Sequence, residues 1–124
     1  MFRALFAAPI LALAACMSTP EIVATEGALG RQVDRVVERH NAYVVADEDM
    51  PELEAINAMA DAQRAAELAD MPEVNLVVLG EALDPVMIRH DSYVQSDPEL
   101  DELERGVYLG STAALRNLLD QVPD

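Results

Sequence analysis

The chain has no lysine and no tryptophan, a single cysteine, and few aromatic residues, which make up 4% of its 124 positions. A lone cysteine excludes an intramolecular disulfide in any redox compartment. Basic residues are scarce, because 8 arginines face 23 acidic residues and leave a formal net charge of −15 at pH 7. Such a surface is repelled by phosphate backbones and by anionic lipid head groups. We therefore expect no nucleic-acid partner, and a basic partner if the charge has a specific use.

The motifs of common catalytic and cofactor sites are missing as well. Ser92, Ser96, Ser111 and Thr112 lie outside any G-x-S-x-G context, and the sequence has neither a glycine-rich phosphate loop nor a CxxC pair. Pairs of carboxylates are too abundant in so acidic a chain to be diagnostic of acid–base catalysis. We therefore expect a protein that is not an enzyme and that binds no cofactor.

The first sixteen residues have the layout of a secretory signal, with Arg3 ahead of an apolar run that extends to Ala12. That run is shorter than the roughly 20 apolar residues that a membrane-spanning helix needs. The segment ends in Leu13-Ala14-Ala15-Cys16, which resembles the lipobox of bacterial lipoproteins. The resemblance implies that residues 1–15 are a signal peptide and that Cys16 receives the lipid. The alternative is an ordinary signal peptide followed by an incidental free cysteine.

A lipidated Cys16 implies a protein of the bacterial cell envelope that faces the periplasm and contacts the membrane through its lipid. Met17 follows the cysteine where enteric inner-membrane lipoproteins carry aspartate, which favours the outer membrane over the inner one. Residues 16–19 are then a short linker. Residues 20–124 have the size of one small domain.

That domain contains an internal duplication with an offset of fifty residues. The run R-H-N-A-Y-V from Arg39 to Val44 returns as R-H-D-S-Y-V from Arg89 to Val94. The copies span residues 20–70 and 71–121, and each is predicted to form two helices. The four helices are expected near residues 20–46, 48–70, 73–95 and 98–121. Because a single hairpin buries little surface, we predict an all-α four-helix bundle in which two homologous hairpins meet across a pseudo-twofold axis.

The apolar residues predict which face of each helix is buried. In the first helix of each copy the buried positions are Leu29, Val33, Val36, His40 and Tyr43, and Leu79, Leu83, Val86, His90 and Tyr93. In the last helix they are Leu100, Leu103, Val107, Ala114, Leu118 and Val122, and the larger apolar groups of the second helix are Leu53, Ile56, Met59 and Leu68. The second helix of the first copy is rich in alanine, which predicts a close helix approach and a thin core.

Several residues predict where helices begin or are interrupted. Thr19-Pro20 is a plausible start of the first helix. Asp47 and Asp97 are the expected N-caps of the second and fourth helices, since Asp97 precedes Pro98 and Glu99. Pro85 removes a backbone hydrogen bond inside the third helix, so we expect a kink or break between Gly80 and Asp84. The run from Leu76 to Leu79 is predicted to be helical, because no strand partner for it is evident.

The repeated motif Arg-His-[Asn/Asp]-x-Tyr-Val is the one constellation that invites a functional interpretation. Its candidate residues for a ligand site or a structural lock are Arg39, His40, Tyr43, Arg89, His90, Asp91 and Tyr93. Both histidines lie on the apolar face, where a neutral imidazole can bond to a tyrosine or a carboxylate of the paired helix. We favour that interpretation over a metal held by the histidines and Asp91, because ferritin-like metal bundles use Glu-x-x-His pairs, which this chain lacks.

The arginines and tyrosines of the motif have structural explanations too. Arg39 and Arg89 are each expected to form an ion pair with Asp47 or Asp97, or with the repeated glutamates Glu52 and Glu102, and so to lock a hairpin turn. The tyrosines of the motif are expected to close the end of the bundle with their hydroxyl groups pointing outward.

The lipobox, a short spacer and the unit R-H-D-x-Y-V-x-x-D-P-x-L from Arg89 to Leu100 resemble small uncharacterised lipoproteins of phages, prophages and their Gram-negative hosts. In the first copy Asn41 and Glu48 replace the aspartate and the proline of that unit. The resemblance implies an envelope setting and no particular activity. Our main hypothesis is a non-catalytic, membrane-tethered helical lipoprotein that acts through protein contacts. The alternatives are a phage-derived lysis or superinfection-exclusion lipoprotein, and metal or small-ligand binding at His40 and His90.

Overall fold

A computed structural model describes residues 22–24 and 28–120 of the chain. They form β1 (Ile22–Ala24), α1 (Ala28–Ala46), α2 (Glu52–Ala69), β2 (Glu73–Asn75), α3 (Leu76–Ser96) and α4 (Glu102–Leu119). The predicted all-α four-helix bundle is confirmed, with α1–α2 and α3–α4 as its two hairpins. The predicted signal peptide, the predicted lipidation site Cys16, the predicted linker and Val122 lie outside the described residues.

Helices α1 and α3 form the centre of the bundle, and each of them contacts the other three helices. Their apolar faces are buried as the periodicity predicts, including Leu29, Val33 and Val36 on α1 and Leu79 and Leu83 on α3. Among the described helices, none is both long and apolar enough to cross a membrane.

Helix α4 buries a different face from the predicted one, whereas α2 packs through its alanines, as its alanine-rich sequence predicts. Leu53 and Ile56 are 70% and 56% exposed on α2, while Leu103 and Val107 are 77% and 60% exposed on α4. The residues that α2 buries are Ala58, Ala62, Ala65 and Ala69, and those that α4 buries are Thr112 and Leu115. Small side chains let α2 lie close against the central helices, so the alanine face packs inward. The large residues on its other faces are left at the surface.

The first and third helices begin later than predicted, because short strands precede them. β1 and β2 pair in antiparallel fashion, with Val23 opposite Val74 at the centre of the pair. Helix α3 then begins at Leu76, where the side chain of Asn75 accepts hydrogen bonds from the backbone nitrogens of Val77 and Val78 at 3.0 and 3.2 Å. The helical prediction for the segment that begins at Leu76 is therefore confirmed. The expected start of α1 near residue 20 is wrong, since residues 22–24 are extended.

The predicted N-caps Asp47 and Asp97 are also wrong. Helix α4 begins at Glu102, and its N-cap is Asp101, which exchanges hydrogen bonds with Glu104 in a capping box. Asp97 instead ends α3 and accepts a hydrogen bond from the backbone of Glu99 at 2.9 Å. An Asp-Pro-Glu run fits such a turn as well as a helix start, because aspartate bonds the backbone two residues later in both settings.

The predicted break near Gly80 to Asp84 does not occur, because α3 continues from Leu76 to Ser96 with Pro85 inside it. A proline inside a helix costs about 3 kcal/mol. Val86 and Met87, which follow the proline, are both buried. Their packing helps to offset this cost.

Candidate functional site

Two arginine–histidine pairs cross the centre of the bundle between α1 and α3. Arg39 Nη1 donates to His90 Nε2 at 3.1 Å, and Arg89 Nη1 donates to His40 Nε2 at 3.0 Å. Both histidines are completely buried, while both arginines are partly exposed. Arg39 and His40 are adjacent in sequence but belong to different arginine–histidine pairs, and the same holds for Arg89 and His90. Each pair therefore joins one residue from each copy of the motif.

This geometry determines where the proton of each imidazole lies. A guanidinium has no acceptor, so the Nε2 atom that faces it must be unprotonated. The remaining proton is on Nδ1, which donates to Asn41 Oδ1 in His40 and to Asp91 Oδ1 in His90, at 2.8 and 2.9 Å. Both histidines are thus neutral, with each ring nitrogen bound to a protein partner.

Burial lowers the pKa of both histidines, and the nearby arginines lower it further. Asp61 opposes this effect at His40, and Asp91 opposes it at His90. Burial raises the pKa of the Asp91 carboxyl, but hydrogen bonds from Arg116, His90 and Thr112 outweigh it and hold the pKa below its usual value. Asp91 is therefore a carboxylate beside a neutral histidine at neutral pH.

The two tyrosines of the motif brace the turns of opposite hairpins. Tyr43 donates its hydroxyl proton to Asp97 Oδ2 at 2.8 Å, and Tyr93 donates to Asp47 Oδ2 at 2.7 Å. The two rings stack, with centroids 5.2 Å apart and planes inclined by 8°. Burial and then the aspartate bond raise the pKa of each tyrosine to about 12. The turn aspartates therefore bond to tyrosines.

The ion pairs expected between the motif arginines and the acidic helix starts are not formed within the described residues. Arg39 instead lies over the ring of Tyr108, with its guanidinium carbon 3.8 Å from the ring centroid, and donates to Ser111 Oγ at 3.3 Å. Arg89 approaches Asp61 at 3.7 Å. Ser111 and Asp61 are equivalent positions of the two copies, so each arginine turns toward the outer helix of the other hairpin.

The two halves of the site differ most around Asp91. Its carboxylate accepts from Thr112 Oγ1 and from Arg116 Nη1, both at 2.7 Å, and from His90. The equivalent residues of the first copy are Asn41, Ala62 and Ala66, which cannot form that network. The second hairpin therefore contains a charged anchor between α3 and α4, whereas the first hairpin uses close alanine packing.

The site is poorly suited to bind a metal through His40 and His90, because their Nε2 lone pairs already accept hydrogen bonds from arginines. Across residues 28–120, no cluster of three or more His, Cys, Asp and Glu side chains could hold an ion. A metal would need to displace two guanidinium groups and would gain only two imidazole ligands.

Comparison with known protein families, curated proteins and solved structures finds no match to this chain.

The structure brings together all the residues of the repeated motif that we singled out. Sequence analysis missed the contributions of Tyr108 and Arg116, and considered Ser111 and Thr112 only as nucleophiles. A usable signal was present, because the positions fifty residues earlier are Ala58, Asp61, Ala62 and Ala66. Tyr108, Thr112 and Arg116 replace alanines of the first copy, and such replacements mark places where the two copies differ in contacts.

Two surface grooves adjoin this site and share Asp47. One, of about 550 Å³, includes Arg89, Tyr93 and the exposed side chain of Ile88. The other, of about 510 Å³, lies between the end of α1 and the beginning of α2. Val45 and Ile56 contribute exposed apolar groups to this second groove.

Proposed function

We propose that this protein is a non-catalytic lipoprotein of the bacterial cell envelope, held at a membrane by a lipid on Cys16 and acting through protein contacts. The observation that carries the proposal is the exposure of large apolar side chains on the outer helices. Leu53 and Ile56 are one turn apart on α2, and Leu103 and Val107 are one turn apart on α4, and all are mostly exposed. Grouped apolar side chains on a surface are typical of protein contact sites.

The interior of the bundle supports a structural role for the histidines and tyrosines that the two copies share. The ring nitrogens of His40 and His90 all have protein partners, and the hydroxyl groups of both motif tyrosines bond to aspartates. Such a closed network fixes how the two hairpins meet. The surface then carries the function, and its negative charge favours a basic envelope protein as partner.

The lipid anchor is tested by mass spectrometry of the N-terminal peptide from the full-length gene product. We expect a peptide that begins at Cys16 and carries acyl chains, in protein that fractionates with membranes, preferably the outer membrane. Cys16→Ser should abolish the acyl modification in the same measurement. An unmodified thiol on wild-type protein in the soluble fraction would refute the anchor.

The partner is tested by cross-linking and affinity purification of the acylated protein from envelopes. A basic envelope protein should be retained at low salt and lost at high salt, because its attraction is partly electrostatic. The variant Leu53→Gln, Leu103→Gln should retain less of it, whereas Asn57→Gln, Asn117→Gln changes exposed polar positions of the same helices and should retain it fully. Failure of the wild-type protein to retain any envelope protein would contradict the proposal.

A further inference from the structure

The two hairpin turns have the same backbone but differ in one side chain that faces it. The backbone nitrogen of Asp47 donates to Val44 O at 3.2 Å, and that of Asp97 donates to Val94 O at 3.3 Å. The next turn bond is 3.5 Å in both copies, and each aspartate also accepts a bond from the backbone nitrogen two residues later. The carbonyl groups at the ends of α1 and α3 are therefore presented alike.

In the second hairpin a guanidinium fills the space beside these carbonyl groups. Arg105 Nη1 donates to Val94 O at 3.1 Å and to Asp97 O at 3.2 Å, and its Nη2 donates to Leu100 O at 2.9 Å. The last carbonyl groups of a helix have no partner within it and carry its negative dipole end, so they are good acceptors for a cation. Arg105 therefore shows, within this chain, how an arginine side chain binds to such a turn.

In the first hairpin the equivalent residue is Ala55, and the groove of about 510 Å³ lies beside it. Val44 and Asp47, which correspond to two of the residues whose carbonyl groups bind Arg105, line this groove. So do Val45, which is 76% exposed, and Ile56. In the second copy these apolar residues are replaced by Gln95 and Gly106. The open groove therefore combines the counterparts of two of the three residues whose carbonyl groups bind Arg105 with an apolar surface that the second hairpin lacks.

We propose that the groove beside Ala55 binds an arginine side chain of a basic partner, together with an adjacent apolar side chain that packs on Val45 and Ile56. This inference rests on the proposed function and names the chemistry of the partner. Asp47 and Glu52 also line the groove, so the charge there suits a cation. Arginine suits it better than lysine, because a planar guanidinium can bond several carbonyl oxygens at once. A second copy of the chain suits it less, since both copies would carry a net charge of −15.

The first test lets the chain fill its own groove. Ala55→Arg should place a guanidinium on the carbonyl groups of Val44 and Asp47, as Arg105 does in the other hairpin. The matched control is Ala114→Arg, which adds the same charge at an exposed position whose counterpart is already Arg64. We expect Ala55→Arg to melt about 5 °C above the control, as a gain of roughly 1 kcal/mol would give. An equal or lower melting temperature would overturn the proposal.

The second test measures binding of a synthetic amphipathic helical peptide with leucines on one face and one arginine at its border. All proteins are the mature chain, residues 16–124, and carry Cys16→Ser, so that neither the signal peptide nor a lipid binds the peptide. Fluorescence anisotropy should show that the arginine peptide binds at least about tenfold more tightly than its glutamine analogue. Ala55→Arg should abolish this preference, Val45→Gln should weaken binding, and Ala114→Arg should leave it intact.

The outcomes separate this inference from the proposed function. If Ala55→Arg binds the arginine peptide as wild type does, or if the glutamine peptide binds equally well, the groove does not take arginine. The envelope partner could still be retained through other surfaces, which the affinity purification with the Ala55→Arg variant shows directly. A dimer of the chain alone that Ala55→Arg dissociates would assign the groove to a second copy and would also overturn the inference.

Discussion

The buried histidine pair should make the stability of the fold fall steeply when the solution is mildly acidified. Each imidazole is neutral in the folded state, because a guanidinium donates to its Nε2 atom. Protonation would put two donors face to face in a buried site and would remove the hydrogen bond. Since burial and the arginines lower the pKa of His40 and His90 from 6.5, the unfolded chain takes up protons at a higher pH than the folded chain.

The sign and size of the effect follow from this difference in proton uptake. Stability is fully present above pH 6.5 and is lost as the pH falls from 6.5 toward the lower folded-state pKa values. Each histidine can contribute at most about 1.4 kcal/mol per pH unit in that window. Because an unfolded imidazole is half protonated at pH 6.5 and almost fully protonated at pH 5.5, two histidines can remove up to about 2 kcal/mol between these pH values, which is a large part of the stability of a small domain.

The assay is urea denaturation followed by far-ultraviolet circular dichroism at closely spaced pH values from 7.5 to 5.0. The comparison protein is His40→Gln, His90→Gln, in which an amide oxygen can still accept from each arginine but no longer titrates. All carboxylates are common to the two proteins, so any difference in how steeply the free energy of unfolding changes with pH is due to the histidines. Each single variant should lose about half of the pH dependence that distinguishes the wild type from the double variant. If the wild type and the double variant showed the same pH dependence, the neutral histidine–arginine lock would be refuted.

Three further predictions concern the same lock and the packing around it. Tyr43→Phe keeps the ring stack but removes the bond to Asp97, so the free energy of unfolding in urea should fall by about 1 kcal/mol. The wild type should lose stability between pH 10 and 12, because its folded state resists ionisation of Tyr43, and the variant should lose less. An equal loss in both proteins would contradict the bond. Ala62→Leu should cost about 1–3 kcal/mol by overpacking the close contact of α2, whereas Ala60→Leu at an exposed position should cost little; equal melting temperatures would contradict close alanine packing. Zinc should leave the melting temperature unchanged, because the histidine lone pairs are already engaged; a rise that His90→Ala abolishes would establish a metal site instead.

The fold class could be predicted because its signals are local or repeated. The spacing of Leu29, Val33 and Val36 fits one helical face, and a second copy fifty residues later implies that two equal hairpins must cover one another. The exact helix starts could not be predicted in the same way, because Asp97 is a good residue both for an N-cap and for the turn that it actually forms. The pairing of β1 with β2 could not be predicted from the sequence either, because three-residue strands have no measurable periodicity.

The candidate site was found from the repeated motif, but its contacts were predicted with the wrong partners. Arg39 was expected to pair within its own turn, and it bonds to His90 of the other hairpin. Both choices satisfy an arginine near an acidic turn when only the sequence is considered. The partner depends on the position of α3 relative to α1, which the sequence does not show. Asp47, the aspartate of the first turn, accepts a hydrogen bond from Tyr93 instead.

By itself, the sequence determined the helical periodicity, the duplication, the strong negative charge and the impossibility of an internal disulfide, because these are properties of residue order and composition. Only the tertiary structure decided that α2 leaves Leu53 and Ile56 exposed, and that each histidine is neutral with its proton on Nδ1. The physical reason is that both outcomes depend on the distance between helices that are far apart in the chain. A close approach rewards small side chains, and a guanidinium from the opposite hairpin leaves an imidazole no choice of tautomer.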